Sequence, residues 1–166
     1  MKRRALPALL AAALMVAPAA LAQDDEERPL RFVGRFTLDE VLEHDERYAD
    51  AAFLFVPDPD ALEVFRRVDR PVTIKLFYRT DCIDSVREVP PFIRTIQLAG
   101  NENIQVDAIG LERGSAEPAE LVAGWDIQRV PTFVVIVDGE EVGRVIETAR
   151  ESIEVDLAKL LRPSEQ

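Results

Sequence analysis

Sulfur and imidazole are scarce in this sequence: 166 residues hold one cysteine, Cys82, and one histidine, His44. A single cysteine closes no disulfide within the chain, so the fold has to rest on its hydrophobic core. One Cys and one His also fall short of a conventional zinc ligand set, so neither a metal nor a cofactor is expected. Asp81, Asp84 and Glu88 lie at the start of an expected helix, where acidic residues serve capping and the helix dipole. Positive charge is in short supply as well, with 20 Lys and Arg against 31 Asp and Glu, a net charge of −11. A surface of that sign repels phosphate backbones and argues against a nucleic-acid partner. Past the first two dozen residues, no apolar run approaches the roughly 20 residues needed to cross a bilayer.

The beginning of the chain is different. In "MKRRALPALLAAALMVAPAALAQ", Lys2, Arg3 and Arg4 precede an Ala/Leu-rich stretch broken by Pro7 and Pro18, and Ala20-Leu21-Ala22 comes just before the acidic "QDDEE". This order of charge, short apolar core and small residues predicts a signal peptide over residues 1–22, cut after Ala22. Export across the inner membrane to the periplasm is the expectation, with no stable membrane insertion once the signal is removed. Taking 22 residues from 166 leaves 144, with 17 basic against 31 acidic groups, or −14 net. A chain of that size is enough for one domain with a substantial core.

Residues 23–35 are polar and without apolar period, and read as a disordered acidic leader. Residues 36–50 read as an N-terminal helical extension, in which Thr37 and Glu40 form a capping box ahead of Leu38, Val41 and Leu42. "AAFLFVP" (51–57) reads as a short strand or extended edge, and "DPDALEVFRRV" as a helix behind an Asp-Pro start. "PVTIKLFYR" (71–79) alternates apolar and other residues, rich in β-branched and aromatic types, and predicts a strand. Val86, Val89, Ile93 and Ile96 mark one helical face, which Pro90 and Pro91 should kink or interrupt. "IQVDAIGL" (104–111) predicts another strand, and 116–125 a short helix ending at Gly124. Asp138-Gly139 between two apolar runs signals a hairpin, and Ile153, Leu157, Leu160 and Leu161 share a face of a closing helix. Strand, helix, strand, helix, hairpin, helix predicts a mixed sheet with helices on both faces.

Over roughly 51–161 these segments, taken in order, resemble the thioredoxin-like superfamily. The resemblance rests on Cys82 and Ser85 in a Cys-x-Asp-Ser at a strand-to-helix junction, Pro90 eight residues after the cysteine, Val130-Pro131-Thr132, and "DGEEVGR". It implies a three-layer α/β sandwich with a mixed four- to five-stranded sheet, occupying residues 51–162. The family match also implies a cis Val130–Pro131 bond beside the cysteine. There the backbone would offer a strand-like edge to an extended substrate, in a groove of Val130, Pro131, Thr132, Tyr78 and Asp81. Within this frame Cys82 is the nucleophile and Ser85 donates its hydroxyl to the sulfur.

The chemistry of Cys82 follows from its place. A sulfur at a helix N-terminus faces unpaired N–H groups and the positive end of the dipole, which favour thiolate, while the carboxylates of Asp81 and Asp84 oppose it. Ser85 stands where dithiol members of the family carry a second cysteine, and a hydroxyl performs no thiol–disulfide exchange. Leu76 replaces the family's buried aspartate, and Asp81 its tryptophan. The expectation is a monothiol site that exchanges with a thiol- or disulfide-bearing protein or a small thiol such as glutathione, and completes no dithiol cycle alone. A redox-silent binding or scaffolding module is the alternative. His44 is expected on a solvated surface, and Trp125 either near the groove or in the core. Arg87 is expected either to meet the thiolate or a substrate carboxylate, or to pair with Asp84 or Glu88.

Overall fold

The computed structural model describes residues 32–112 and 119–162. The expected signal peptide, most of the leader and the first three residues of the 116–125 helix lie outside the described residues. Within them the order is β1 (Gly34–Phe36), α1 (Leu38–Glu43), α2 (Glu46–Leu54), α3 (Pro59–Arg67), β2 (Val72–Tyr78), α4 (Ile83–Ala99) and β3 (Ile104–Gly110). There follow α5 (Ala119–Val122), β4 (Thr132–Val137), β5 (Glu140–Ile146) and α6 (Ile153–Leu161). The strands form one mixed sheet in the order β1-β3-β2-β4-β5. β2 and β3 run parallel, from Val72 beside Ile104 to Tyr78 beside Gly110, and all other pairs are antiparallel.

Both faces of the sheet are covered. On one, Ile74, Leu76 and Tyr78 of β2 meet Val89, Phe92 and Ile93 of α4 and Leu157 of α6. Phe92 and Phe133 lie edge to face with centroids 5.1 Å apart, a geometry that adds to simple burial. On the other, Phe77, Ile109 and Val134 are packed by Leu121 and Val122 of α5 and by Trp125. Trp125 is partly buried against this second core, with Lys75 Nζ 5.0 Å from its ring centre. The Asp138-Gly139 hairpin forms with both residues at positive φ, 51° and 87°, as a two-residue turn matched to strand twist requires.

Three expectations are corrected on the N-terminal side. Residues 51–57 are not a strand, because α2 runs through Leu54 and only Phe55 turns extended. Asp45 caps this helix by accepting from the Arg47 N–H at 2.9 Å, and Ala49, Ala51 and Ala52 carry high helix propensity. The residue 50/51 boundary thus falls inside a helix. The Thr37–Glu40 capping box is present, with Thr37 N–H to Glu40 Oε2 at 2.7 Å, but α1 stops at Glu43 and a second helix starts after Asp45. Gly34 and Arg35, expected in a disordered leader, form β1, where Arg35 pairs with Asp107 of β3.

Helix α4 runs from Ile83 to Ala99 without interruption, with Pro90 and Pro91 inside it. Each proline removes one N–H donor from the ladder. Pro90 and Phe92 are buried against the core, and that packing outweighs the loss. Gly110 is a glycine of necessity: a Cβ there would lie 2.4 Å from the Phe32 carbonyl oxygen and 2.8 Å from the Phe36 ring.

Candidate functional site

β2 ends at Tyr78, four residues carry the chain over the sheet edge, and α4 begins at Ile83 with Cys82 as its N-cap. No side chain caps this helix, so the sulfur sits at a helix start whose first N–H groups lack a side-chain acceptor. Cys82 is half-buried and is a free thiol. Its Sγ donates to the Val130 carbonyl oxygen at 3.3 Å, across 48 residues of sequence. The Val130–Pro131 peptide bond is cis. The loop is anchored from the far side, where Glu147 N–H donates to the Pro131 carbonyl at 2.7 Å and Arg129 pairs with Glu147 at 2.6 Å.

The surrounding charges are arranged in pairs. Asp81 is exposed and accepts from Arg79 Nε at 2.9 Å, while Asp84 accepts from Arg87 Nη2 at 2.8 Å. Each carboxylate that flanks the sulfur is therefore met by a guanidinium, which weakens its field at the thiol. Arg87 also pairs with Glu88 and donates to Thr148 Oγ1 at 2.6 Å, tying the first turns of α4 to the segment after β5. Its role is the ion-pairing one, with Asp84 and Glu88 together.

The groove residues separate on inspection. Val130 meets the sulfur, and Pro131 is buried behind it. Thr132 turns its hydroxyl to the Arg129 carbonyl at 2.7 Å and is 2% exposed. Ser85 is fully buried, and its Oγ accepts from the Arg79 N–H at 3.3 Å. The hydrogen bond from this hydroxyl to the sulfur is not formed, because the serine points under the loop. Tyr78 is corrected outright. Strand alternation puts it on the same face as Ile74 and Leu76, so it is fully buried in the main core and lines no surface groove.

The hydroxyl of Tyr78 lies 3.3 Å from His44 Nδ1, and this exposes a second correction. His44 is no solvated surface histidine. Its ring stacks on Phe32 at 3.8 Å and meets the edge of Phe36 at 4.5 Å, because α1 ends there and the ring folds back over β1. Burial pushes its pKa below the ordinary 6.5, against the pull of Glu40 and Glu43. Sequence reading missed a further pair. Tyr48 of α2 is fully buried and donates to the Arg79 carbonyl at 3.4 Å, and Arg47 Nη2 donates to the Thr80 carbonyl at 3.3 Å. The signal for them was the Asp45-x-Arg47-Tyr48 spacing at a helix start, legible only once 51–57 is seen to be helical.

Among the described residues no group of three or more His, Cys, Asp or Glu is placed to hold a metal ion, and no helix is long and apolar enough to cross a membrane. A cavity of about 390 Å³ between α3 and the end of α6, lined by Val64, Val68, Arg70 and Leu161, opens at the start of β2. Cys82 follows the other end of that strand.

No protein-family model matches the chain, and no curated protein matches it in sequence. Among solved structures it is similar to a protein of unknown function from Pseudomonas aeruginosa, with TM-score 0.52, 14% identity, and coverage of 77% of this chain and 86% of that one. It is also similar to an HIV epitope scaffold, with TM-score 0.51, 15% identity and the same coverage, 77% and 86%. Thioredoxin from Halobacterium salinarum superposes more loosely, with TM-score 0.39 at 22% identity over 63% of this chain and 82% of that one. Likeness at such identities speaks to the fold alone, and that fold is α/β, a mixed five-stranded sheet with helices on both faces.

Proposed function

We propose that the chain is an exported monothiol member of the thioredoxin-like proteins, carrying Cys-x-Asp-Ser in place of two cysteines, and that Cys82 exchanges with thiols or disulfides of other molecules. The observation that carries this reading is the half-buried Cys82 sulfur at the N-cap of α4, 3.3 Å from the Val130 carbonyl. In the forward step the Cys82 thiolate attacks one sulfur of a disulfide R–S–S–R′. A Cys82–S–S–R bond forms, the S–S bond of the substrate breaks, and R′–S⁻ leaves with the electron pair. In the return step an outside thiolate, from a small thiol such as glutathione or from the substrate itself, attacks the mixed disulfide and expels Cys82 as thiolate. The two steps move a disulfide without net oxidation of the protein, which is isomerase-like or deglutathionylating behaviour. Val130 and Thr132 contribute backbone to the groove, Pro131 shapes it, Asp81 stands on its rim, and Ser85 supports the loop from beneath.

The test uses the whole protein with its natural processing. Native protein is expected to alkylate at Cys82 in the folded state and to form a mixed disulfide with oxidised glutathione that a small thiol reverses, both read by intact mass spectrometry. Labelling only after unfolding would sink the reading. The same spectra, taken on protein recovered from its compartment, show whether residues 1–22 have been removed. A second reading, a binding module with an incidental thiol, is favoured by Phe53, Leu54 and Val56, which stand 80%, 76% and 84% exposed. Apolar side chains so exposed and so close in sequence commonly mark contact surfaces. Partners retained by the Cys82→Ser variant support this second reading, and partners lost support the covalent one.

A further inference from the structure

Four hydrogen bonds hold the backbone of the turn from Arg79 to Cys82. From inside the loop, the Cys82 N–H donates to the Arg79 carbonyl at 3.3 Å and the Arg79 N–H donates to Ser85 Oγ at 3.3 Å. From outside, Tyr48 Oη donates to that same Arg79 carbonyl and Arg47 Nη2 to the next one, of Thr80. Both outside donors come from the first turn of α2, and the Arg47 guanidinium is itself held by Asp45, with Nε 2.9 Å from Oδ1. The ring of Tyr48 is fully buried and leans on Tyr78 with centroids 6.4 Å apart, so its hydroxyl has little freedom to leave. We infer that Tyr48 and Arg47 are positioning residues for Cys82, clamping the Arg79–Thr80 backbone so that the sulfur is held over the α4 N-terminus and against the Val130 carbonyl.

The inference rests on the thiol reading given above. Two consequences follow from the geometry. The clamp adds two outside donors to a loop held from beneath by Ser85, and a loosened loop lets the sulfur swing off the helix axis, where the partial positive charge of the N–H groups falls away within one turn. The clamp also places an outside donor on each of two successive carbonyl oxygens, of Arg79 and Thr80, in the turn that leads to Cys82. Burial pushes the ionisation of the Tyr48 phenol upward, so it remains a donor throughout the range in which a thiol titrates.

The experiment compares the full chain with Tyr48→Phe, Arg47→Gln and Arg47→Lys, following iodoacetamide alkylation of Cys82 against pH together with the thermal midpoint. Tyr48→Phe keeps the ring and its packing, so the protein folds. It is expected to slow native alkylation by about threefold to tenfold, as loss of one hydrogen bond allows, and to move the pH profile to higher pH. Arg47→Gln is expected to act in the same direction, and Arg47→Lys, which keeps a cationic donor, to restore most of the rate. A profile for Tyr48→Phe that overlays the parent, whatever happens to the thermal midpoint, overturns the clamp and leaves the thiol reading standing. A parent protein that alkylates only when unfolded overturns both together.

Discussion

The β4–β5 hairpin and the segment from Phe32 to Leu54 both border the Cys82 loop, and they are attached to the sheet by different physics. The hairpin is laid down by a continuous antiparallel ladder, Thr132 beside Ile146 to Val137 beside Glu140 with one register shift. Its inner strand is apolar and buried at Phe133, Val134, Val135 and Val137. The N-terminal segment has three residues of ladder, buries Val41, Tyr48 and Ala52, and adds single polar contacts: the Arg35–Asp107 pair and the Tyr48 and Arg47 hydrogen bonds. A ladder backed by a core yields only to a change in the core. Where a segment has little ladder, its single polar contacts carry more of the local order, and the Cys82 loop meets the N-terminal side through two such contacts, Tyr48 and Arg47.

Four measurements sharpen or break that contrast, in decreasing order of expected effect. Phe133→Ala removes a fully buried ring packed on Phe92 and should cost about 3–5 kcal/mol in urea unfolding, the range for buried aromatic truncation. A cost near that of a surface change would mean the hairpin is not core-held. Gly110→Ala drives a Cβ into the Phe32 carbonyl and the Phe36 ring, and overpacking of this kind costs about 1–3 kcal/mol. Hydrogen exchange should show β1 losing protection while β2 and β4 keep theirs. Uniform loss across all strands would contradict the separate attachment of the N-terminal segment.

The third measurement is a pH series. Burial between Phe32 and Phe36 lowers the folded pKa of His44 below 6.5. As pH falls through the unfolded value the unfolded chain binds the proton first, so unfolding is favoured and stability drops between about pH 6.5 and the lower folded value. The parent should therefore lose more of its urea midpoint than His44→Gln on going from about pH 7.5 to about pH 5. Glu40 and Asp107 act in a lower window: both are depressed, Glu40 chiefly by the Thr37 N–H and Asp107 by its bonds to Arg35 and Lys75 against the cost of burial. Their stabilisation is present above their unfolded values, 4.5 and 3.8, and is lost only as pH falls below them. Equal slopes for parent and variant would show that the His44 stack does not hold the segment. Last, Thr37→Ala deletes the capping box of α1 and should cost about 0.5–2 kcal/mol, with the effect confined to α1 amides. No detectable change would assign the helix start to packing alone.

How much could be read from residues alone divides along the same line. The hairpin was legible because Asp138-Gly139 forces its turn locally and the flanking runs are plainly apolar. β2, β3 and α6 announced themselves by period, and the strand-to-helix junction at Cys82 by its neighbours. The meeting of Cys82 with Val130 was legible only through resemblance, since 48 residues separate them and nothing local links the two. The N-terminal side was misread because a helix of small and aromatic residues, "ERYADAAFL", ends in "FLFVP", whose composition is that of a strand. There the Asp45 cap and the burial of Tyr48 and Ala52 on α4 decide the outcome, and the second is a tertiary effect. Ser85, one turn after the cysteine, was read as a donor to the sulfur, and Tyr78 as a groove residue. Helix and strand periodicity turned both inward.

The chain holds a single sulfhydryl, so a group that lands on Cys82 has no internal route of departure. Whatever occupies the position stays until something outside displaces it. The fraction of molecules carrying an adduct is thus a slow average over the surroundings, and two populations of this protein, identical in sequence, would differ according to where each has been.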